Sequence, residues 1–457
     1  MTKVFASIIA LGVATSVAAQ QQPPIRALGP TVSVSKEPLG AMVYVRHLAG
    51  GVIVNDMQNR RLLLFDSTLA TFKVIADTTS ATANAYSGRV GGLIAYRGDS
   101  SLFVDPQSLS MLVLDPAGKV ARVMSVPRSQ DAITIGNSVF GTPTFDASGR
   151  LVYRGFPRPR FEGMRGAGGA GGGDRGAGGG GGGARAFTPP EIPDSTPIQR
   201  IDLTTRAVDT VGFVKTPKIK LDVQRDDNGR VTISTMVNPL PVVDEWAVLS
   251  DGSIAMVRGR DYHVDWIRPD GSRESTAKIP FDWKRLTDED KAAFIDSVKA
   301  ARQRMAASSP QATERAAGVA AGVAGGAGGG GAAGGPPGEV RIMIGGGPPG
   351  AGGGGMGMGG REPQFVPASE LPDYQPPFFA GSSRPDAEGQ LWIRTIPTKA
   401  APGGGGDVYD VIDSKGALVD RVQVPKNRTI IGFGAGGIVY LAARDGSTTK
   451  LERARVR

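Results

Sequence analysis

The chain is written in short apolar runs rather than long periodic stretches. Val52-Ile53-Val54-Asn55-Asp56 is followed ten residues later by Leu62-Leu63-Leu64-Phe65-Asp66. Leu102-Phe103-Val104-Asp105 is followed at the same interval by Leu112-Val113-Leu114-Asp115. Each pair runs on into a third apolar segment, 72–75 and 120–124. Runs of four to six apolar residues separated by turn residues predict antiparallel meanders, and two copies in register predict more.

Four further units emerge once low-complexity stretches are set aside. Segments 142–146, 151–154, 198–202 and 208–214 make a third unit. Segments 245–249, 253–258, 262–268 and 275–279 make a fourth, and 377–380, 390–396, 408–413 and 418–424 a fifth. The last unit, 429–433, 438–444 and 450–456, has three strands, and Thr31 to Ser35 supplies the missing one. Asp251-Gly252, Asp270-Gly271 and Asp445-Gly446, with the spaced pairs Asp146/Gly149 and Asp386/Gly389, mark turns. The expected fold is all-β: a six-bladed β-propeller closed by an amino-terminal strand, with blades near 40–77, 93–127, 140–215, 244–280, 377–425 and 429–457 plus 31–35. A β-sandwich followed by a second β domain is the weaker alternative.

One stretch carries a family resemblance. Asp56, Asn59, Arg61, Phe65 and Asp66, within VNDMQNRRLLLFD (54–66), resemble the NHL repeat, which reads D-x-x-N-x-R followed three residues later by F-D. The second unit keeps Asp105 and Asp115 but has Ser108 and Ser110 in place of Asn and Arg. The Asp-Gly turns of the later units are more similar to TolB-type propellers. The resemblance implies architecture and transfers no reaction.

Composition then changes the picture in three ways. Of 67 glycines, 40 fall in 163–185, 316–361 and 403–406, which have almost nothing to bury and read as flexible. The first two belong to insertions at 157–197 and 281–376. The second insertion also holds a helix near 288–306, opened by the capping-box pattern Thr287-Asp288-Glu289-Asp290, with an apolar stripe of Phe294, Val298, Ala301 and Met305. Alternation of strand direction puts 157–197, 281–376 and 397–407 on one face of the disc. Residues 1–19 read as a signal peptide with Lys3, an apolar run from Val4 to Val13 and cleavage between Ala19 and Gln20, so a periplasmic or secreted product with no integral membrane segment is expected. Finally, the chain has no cysteine and two histidines, His47 and His263, which excludes thiol chemistry and three-imidazole metal sites.

The formal charge of +9 is spread along the chain without the interleaved aromatics that single-stranded nucleic acid requires, so nucleic acid is not an expected partner. The second strands end at Asp56, Asp105, Arg154, Arg258, Arg394 and Arg444 on the insertion-bearing face. Four guanidiniums there suit a carboxylate, phosphate or sulfate ligand through bidentate hydrogen bonds. The expected function is a binding or scaffold module for an anionic small molecule, glycan or peptide, or a protein partner, with no cofactor and no catalytic residue. The alternative is a metal-dependent hydrolase or lactonase holding a divalent cation such as calcium in the central funnel, with Asn55, Asp56 and Asp105 as oxygen ligands. Sialidase Asp-boxes, a G-x-S-x-G elbow and H-E-x-x-H are absent, and neither histidine reads as a general base.

Overall fold

A computed structural model describes residues 22–40, 43–88, 90–137, 141–156, 193–218, 220–225, 231–307, 364–399, 405–446 and 448–456. The leader and the glycine-rich tracts at 163–185 and 316–361 lie outside these residues.

The chain forms a six-bladed β-propeller. It opens with β1 (Ile25–Ala27) and β2 (Thr31–Val34), which serve the last blades. Blade one is β3 (Val43–Leu48), β4 (Gly51–Asp56), β5 (Arg61–Asp66) and β6 (Phe72–Ala76). Blade two is β7 (Gly92–Ala95), β8 (Ser101–Asp105), β9 (Ser110–Leu114) and β10 (Val120–Ser125). Blade three is β11 (Thr144–Phe145), β12 (Leu151–Arg154), β13 (Ser195–Ile201) and β14 (Val208–Lys215). A separate hairpin follows, β15 (Lys220–Arg225) and β16 (Val231–Met236). Blade four is β17 (Glu245–Val248), β18 (Ile254–Arg258), β19 (His263–Ile267) and β20 (Arg273–Ser275). Blade five is β21 (Ser383–Pro385), β22 (Leu391–Thr395), β23 (Val408–Ile412) and β24 (Leu418–Gln423). Blade six is β25 (Arg428–Gly434), β26 (Ile438–Asp445) and β27 (Thr448–Arg455), with β2 as its outermost strand, antiparallel to β27.

The packing explains the apolar runs. Each inner strand has a neighbouring blade on both faces, so every residue of β4 and β8 is buried and both parities must be apolar. The core divides into six clusters, one per seam between blades. Leu63, Phe65, Ile431 and Tyr440 join blades one and six; Ile53, Leu62 and Phe103 join one and two. Leu102, Leu151 and Tyr153 join two and three; Ile198, Trp246 and Met256 join three and four. Val257, Tyr262, Phe378 and Ile393 join four and five; Trp392, Tyr409, Val439 and Leu441 join five and six. The outermost strands face water, and β6 and β10 are largely exposed.

Three features depart from expectation. The first strand of blade five is Ser383–Pro385, not 377–380. Phe378 there is a plug, buried at the seam with blade four, so its apolar signal came from packing rather than from a strand. The hairpin β15–β16 and the strand β1, which adds in parallel to β24, were not foreseen. The helix, α1 here (Asp288–Ala307), starts where expected: Asp290 N donates to Thr287 Oγ1 at 3.2 Å and Thr287 N donates back to Asp290 Oδ2 at 3.1 Å. Its packed face centres on Ile295, which joins Leu240, Val366 and Leu371 in a seventh cluster, with Phe294 only partly buried. That face turns about one residue from the expected stripe and includes Lys291, whose Nζ reaches Asp373 at 2.8 Å.

Candidate functional site

The innermost strands begin, and the second strands end, on the face that carries the insertions. There the four predicted arginines are distributed over three seams. Arg154 pairs in register with Ile198, whose side chain packs toward blade four, and Arg258 turns back toward blade three. These two share a seam. Arg394 lies on the same side of blade five as Trp392 and Tyr409, facing blade six. Arg444 lies on the same side of β26 as Ala442, facing blade one, and is exposed.

The arginines also differ in what holds them. Arg258 Nε meets Asp265 Oδ2 at 2.7 Å, and an Nη donates to Asp244 Oδ2 at 2.7 Å and to Phe213 O at 2.9 Å. Burial opposes its charge, but hydrogen bonds to the two carboxylates prevail and raise its pKa. Arg154 Nε donates to Thr196 Oγ1 at 2.9 Å, and burial lowers its pKa against the pull of Glu245. Arg394 reaches Asp407 at 3.4 Å. An anion arriving at Arg258 must compete with two carboxylates already in place.

A different arginine is better placed. Arg384 is the second residue of β21, on the innermost strand of blade five, and is half-buried. Among the described residues its guanidinium has no hydrogen bond or ion pair, and its charge acts on two phenols, Tyr409 and Tyr44. Tyr44 is the second residue of β3, the innermost strand of blade one, so the Arg384 charge acts on the innermost strand of a second blade. Burial raises the Tyr44 pKa and Arg384 restrains the rise. Arg384 opposes Trp392, and Arg394 lies two residues further along β22, a diagonal same-face neighbour at about 7–8 Å. The mouth therefore concentrates Arg384 and Arg394 on one face, with Tyr44 on a second blade.

Glu245 sets the position of that strand. It is the first residue of β17 and is buried, accepting from Gly381 N at 2.8 Å, Ser383 N at 3.3 Å and Ser383 Oγ at 2.9 Å. Burial raises its pKa, and these donors and Arg154 oppose the rise. By gripping the start of β21, Glu245 fixes where Arg384 projects.

The oxygen ligands expected for a cation are engaged inside the blades. Asp56 is buried and accepts from Gly40 N (3.1 Å), Asn59 Nδ2 (2.8 Å) and Arg61 Nε (2.9 Å). These are the Asp, Asn and Arg of the NHL-like stretch, so the motif is a self-contained clasp at the turn after β4. Asn55 donates from Nδ2 to Gly91 O at 2.8 Å and accepts from Tyr86 Oη at 2.9 Å. Asp105 accepts from Ser87 N at 3.1 Å, from the Ser87 hydroxyl and from Gln107 N at 3.0 Å. A carboxylate neutralised by Arg61 and saturated with N–H donors does not fit a divalent cation. Among the described residues no group of three His, Asp or Glu side chains is placed to hold a metal ion. His47 Nδ1 contacts Tyr440 Oη at 2.9 Å on the opposite face, and burial, Arg46 and Arg453 lower its pKa. His263 lies between Asp261 (2.8 Å) and Asp265 (3.2 Å).

Sequence reading missed Arg384 because it put the strand too early. The Asp386/Gly389 turn was visible, and placing the strand directly before it gives 383–385 and brings Arg384 to the channel.

No family model matches the chain, and no curated protein does. Solved structures do match over most of its length. A gluconolactonase from Xanthomonas campestris is 11% identical, covering 94% of this chain and 99% of its own, with a TM-score of 0.35. Virginiamycin B lyase from Staphylococcus aureus is 10% identical (94% and 99% covered, TM-score 0.36), and TolB from Acinetobacter baumannii is 10% identical (91% and 64%, TM-score 0.30). Likeness at this level concerns the fold.

Proposed function

We propose that this protein is an exported binding propeller whose ligand presents a carboxylate, phosphate or sulfate group to the channel mouth on the insertion-bearing face. Arg384 makes the first contact, Arg394 flanks it, and Tyr44 donates from blade one. Arg154 and Arg258 stabilise the seam between blades three and four. The carrying observation is the half-buried Arg384 guanidinium on an innermost strand, without a hydrogen bond or ion pair among the described residues. A guanidinium already partly dehydrated and held on a strand offers its fork to an anion at low entropic cost. Export rests on the leader, residues 1–19, and among the described residues no helix is long and apolar enough to cross a membrane.

Isothermal titration of the purified protein with phosphate, sulfate, glutarate and galacturonate tests the reading. Arg384→Met is expected to weaken the best of these by about tenfold or more, with the melting curve unchanged. Arg444→Met is expected to leave affinity as it was. Equal affinity in wild type and Arg384→Met would remove the site.

A further inference from the structure

The connection between blades four and five contains a short antiparallel ribbon that the channel mouth does not use. Leu286 N donates to Asp373 O at 2.8 Å and Gln375 N to Lys284 O at 2.9 Å. These bonds bracket the bridge between Arg285 and Tyr374 and make them a non-hydrogen-bonded pair, the closer kind of cross-strand side-chain pair. Trp283 precedes Arg285 by two residues. The ribbon thus pairs Arg285 with Tyr374 and has Trp283 close by in the chain. Tyr374 is 50% and Trp283 39% exposed, and Arg285 is exposed as well.

These groups are braced from behind rather than covered. Trp283 packs edge-on against Phe281 with centroids 5.3 Å apart, and Phe281 packs against the buried Tyr262. The Gln375 side chain donates to Pro397 O at 3.1 Å, and Lys399 pairs with Asp282 at 2.9 Å, tying the ribbon to the loop after β22. Arg285 has no hydrogen bond or ion pair among the described residues. Its nearest charge effect is on Asp373, which is already held by Lys291.

We infer that this ribbon is a binding surface for an acidic saccharide. Two exposed aromatic side chains suit a sugar ring, which has one apolar face and hydroxyls at its rim. Arg285, paired with Tyr374 across the ribbon, is positioned to take the ring carboxylate as a bidentate partner. The ribbon is anchored to the same loop that leads from Arg394, so an oligosaccharide on it runs beside the mouth. The inference stands on the ribbon alone and does not require the Arg384 site.

Tryptophan fluorescence and calorimetry with trigalacturonate, maltotriose and an acidic hexapeptide provide the test. Trigalacturonate is expected to bind and to shift the emission of Trp283. Tyr374→Ala should weaken it by roughly tenfold. Arg285→Met should abolish the preference for trigalacturonate over maltotriose while leaving the weaker neutral binding intact. Arg384→Met should retain the Trp283 emission change, which separates failure of the mouth from failure of the ribbon. Absence of trigalacturonate binding, indifference to Tyr374→Ala, or equal binding of the acidic peptide would each overturn the inference. Since Trp283 braces Phe281, Tyr374→Ala and Arg285→Met are the informative variants, and unchanged circular dichroism confirms their fold.

Discussion

At the residue scale, carboxylates that look alike in the sequence perform different work. Asp56 closes the turn after β4 through Gly40, Asn59 and Arg61. Blade two lacks the Asn and Arg, and Ser108 and Ser110 merely bond each other at 2.7 Å. There Asp105 is held instead by Ser87, from the segment entering the blade. The same buried acid is thus satisfied locally in one blade and by its connector in the next. Removing Asp56 strands the buried Gly40 N–H and takes one of two acidic partners from Arg61. Asp56→Ala is expected to cost about 3 kcal/mol in urea unfolding, equally with calcium and with chelator. Calcium-dependent stability lost in the variant would instead revive a metal at this position.

Gly141 shows a second residue-level demand. Its φ is +97°, and a Cβ there would lie 2.2 Å from Trp246 Nε1. A side chain is excluded twice, by the backbone and by the indole. Gly141→Ala is expected to lower the melting temperature with Trp246 displaced, visible as a change in near-ultraviolet circular dichroism.

At the element scale, the amino terminus secures two blades in ten residues. β1 adds to blade five, with the Arg26 guanidinium on Asp420, and β2 completes blade six. Ser35 is the latch: its N–H donates to Leu451 O at 2.8 Å, and its hydroxyl accepts from Leu451 N at 3.0 Å. Ser35→Pro removes both bonds and leaves the Leu451 groups buried without partners. A loss of about 2–4 kcal/mol in urea unfolding is expected, with faster proteolysis at the amino terminus. Unchanged stability would mean that the blade closes by another route.

At the scale of the whole molecule, phenols tie blades to one another. Tyr86 donates to Asn55, Tyr153 to Asp131, and Tyr262 to Asp410, each across a seam. Burial raises the pKa of all three, and Tyr440 is pushed up to about 12. A phenol whose pKa is raised on folding contributes its full stability below the unfolded value near 10, and loses it as pH climbs through the folded value. Stability is therefore expected to fall between about pH 10 and 12. Absorbance at 295 nm should show the buried tyrosines ionising with unfolding, not before it. Early titration of most of the eight tyrosines would contradict the buried seams.

The sequence by itself determined the six-fold repeat, the identity of the closing strand and the helix start. These depend on local facts: apolar runs flanked by turns, and Thr287 with Asp290 within one helical turn. The hairpin at 220–236 went unread, although Lys220–Arg225 and Val231–Met236 flank the turn-favouring residue types Asp226, Asp227, Asn228 and Gly229. What only the tertiary structure decided is which charges remain available. Strand ends counted along the chain suggested one arc of arginines. Alternation of side chains across stacked blades divides Arg154, Arg258, Arg394 and Arg444 among three seams, and Asp244 and Asp265 occupy Arg258. The pairing of a buried charge is settled by groups distant in sequence, and no local pattern encodes it. The freedom of Arg384, its charge effect on Tyr44 in a second blade, and the pairing of Arg285 with Tyr374 all arise in that same way.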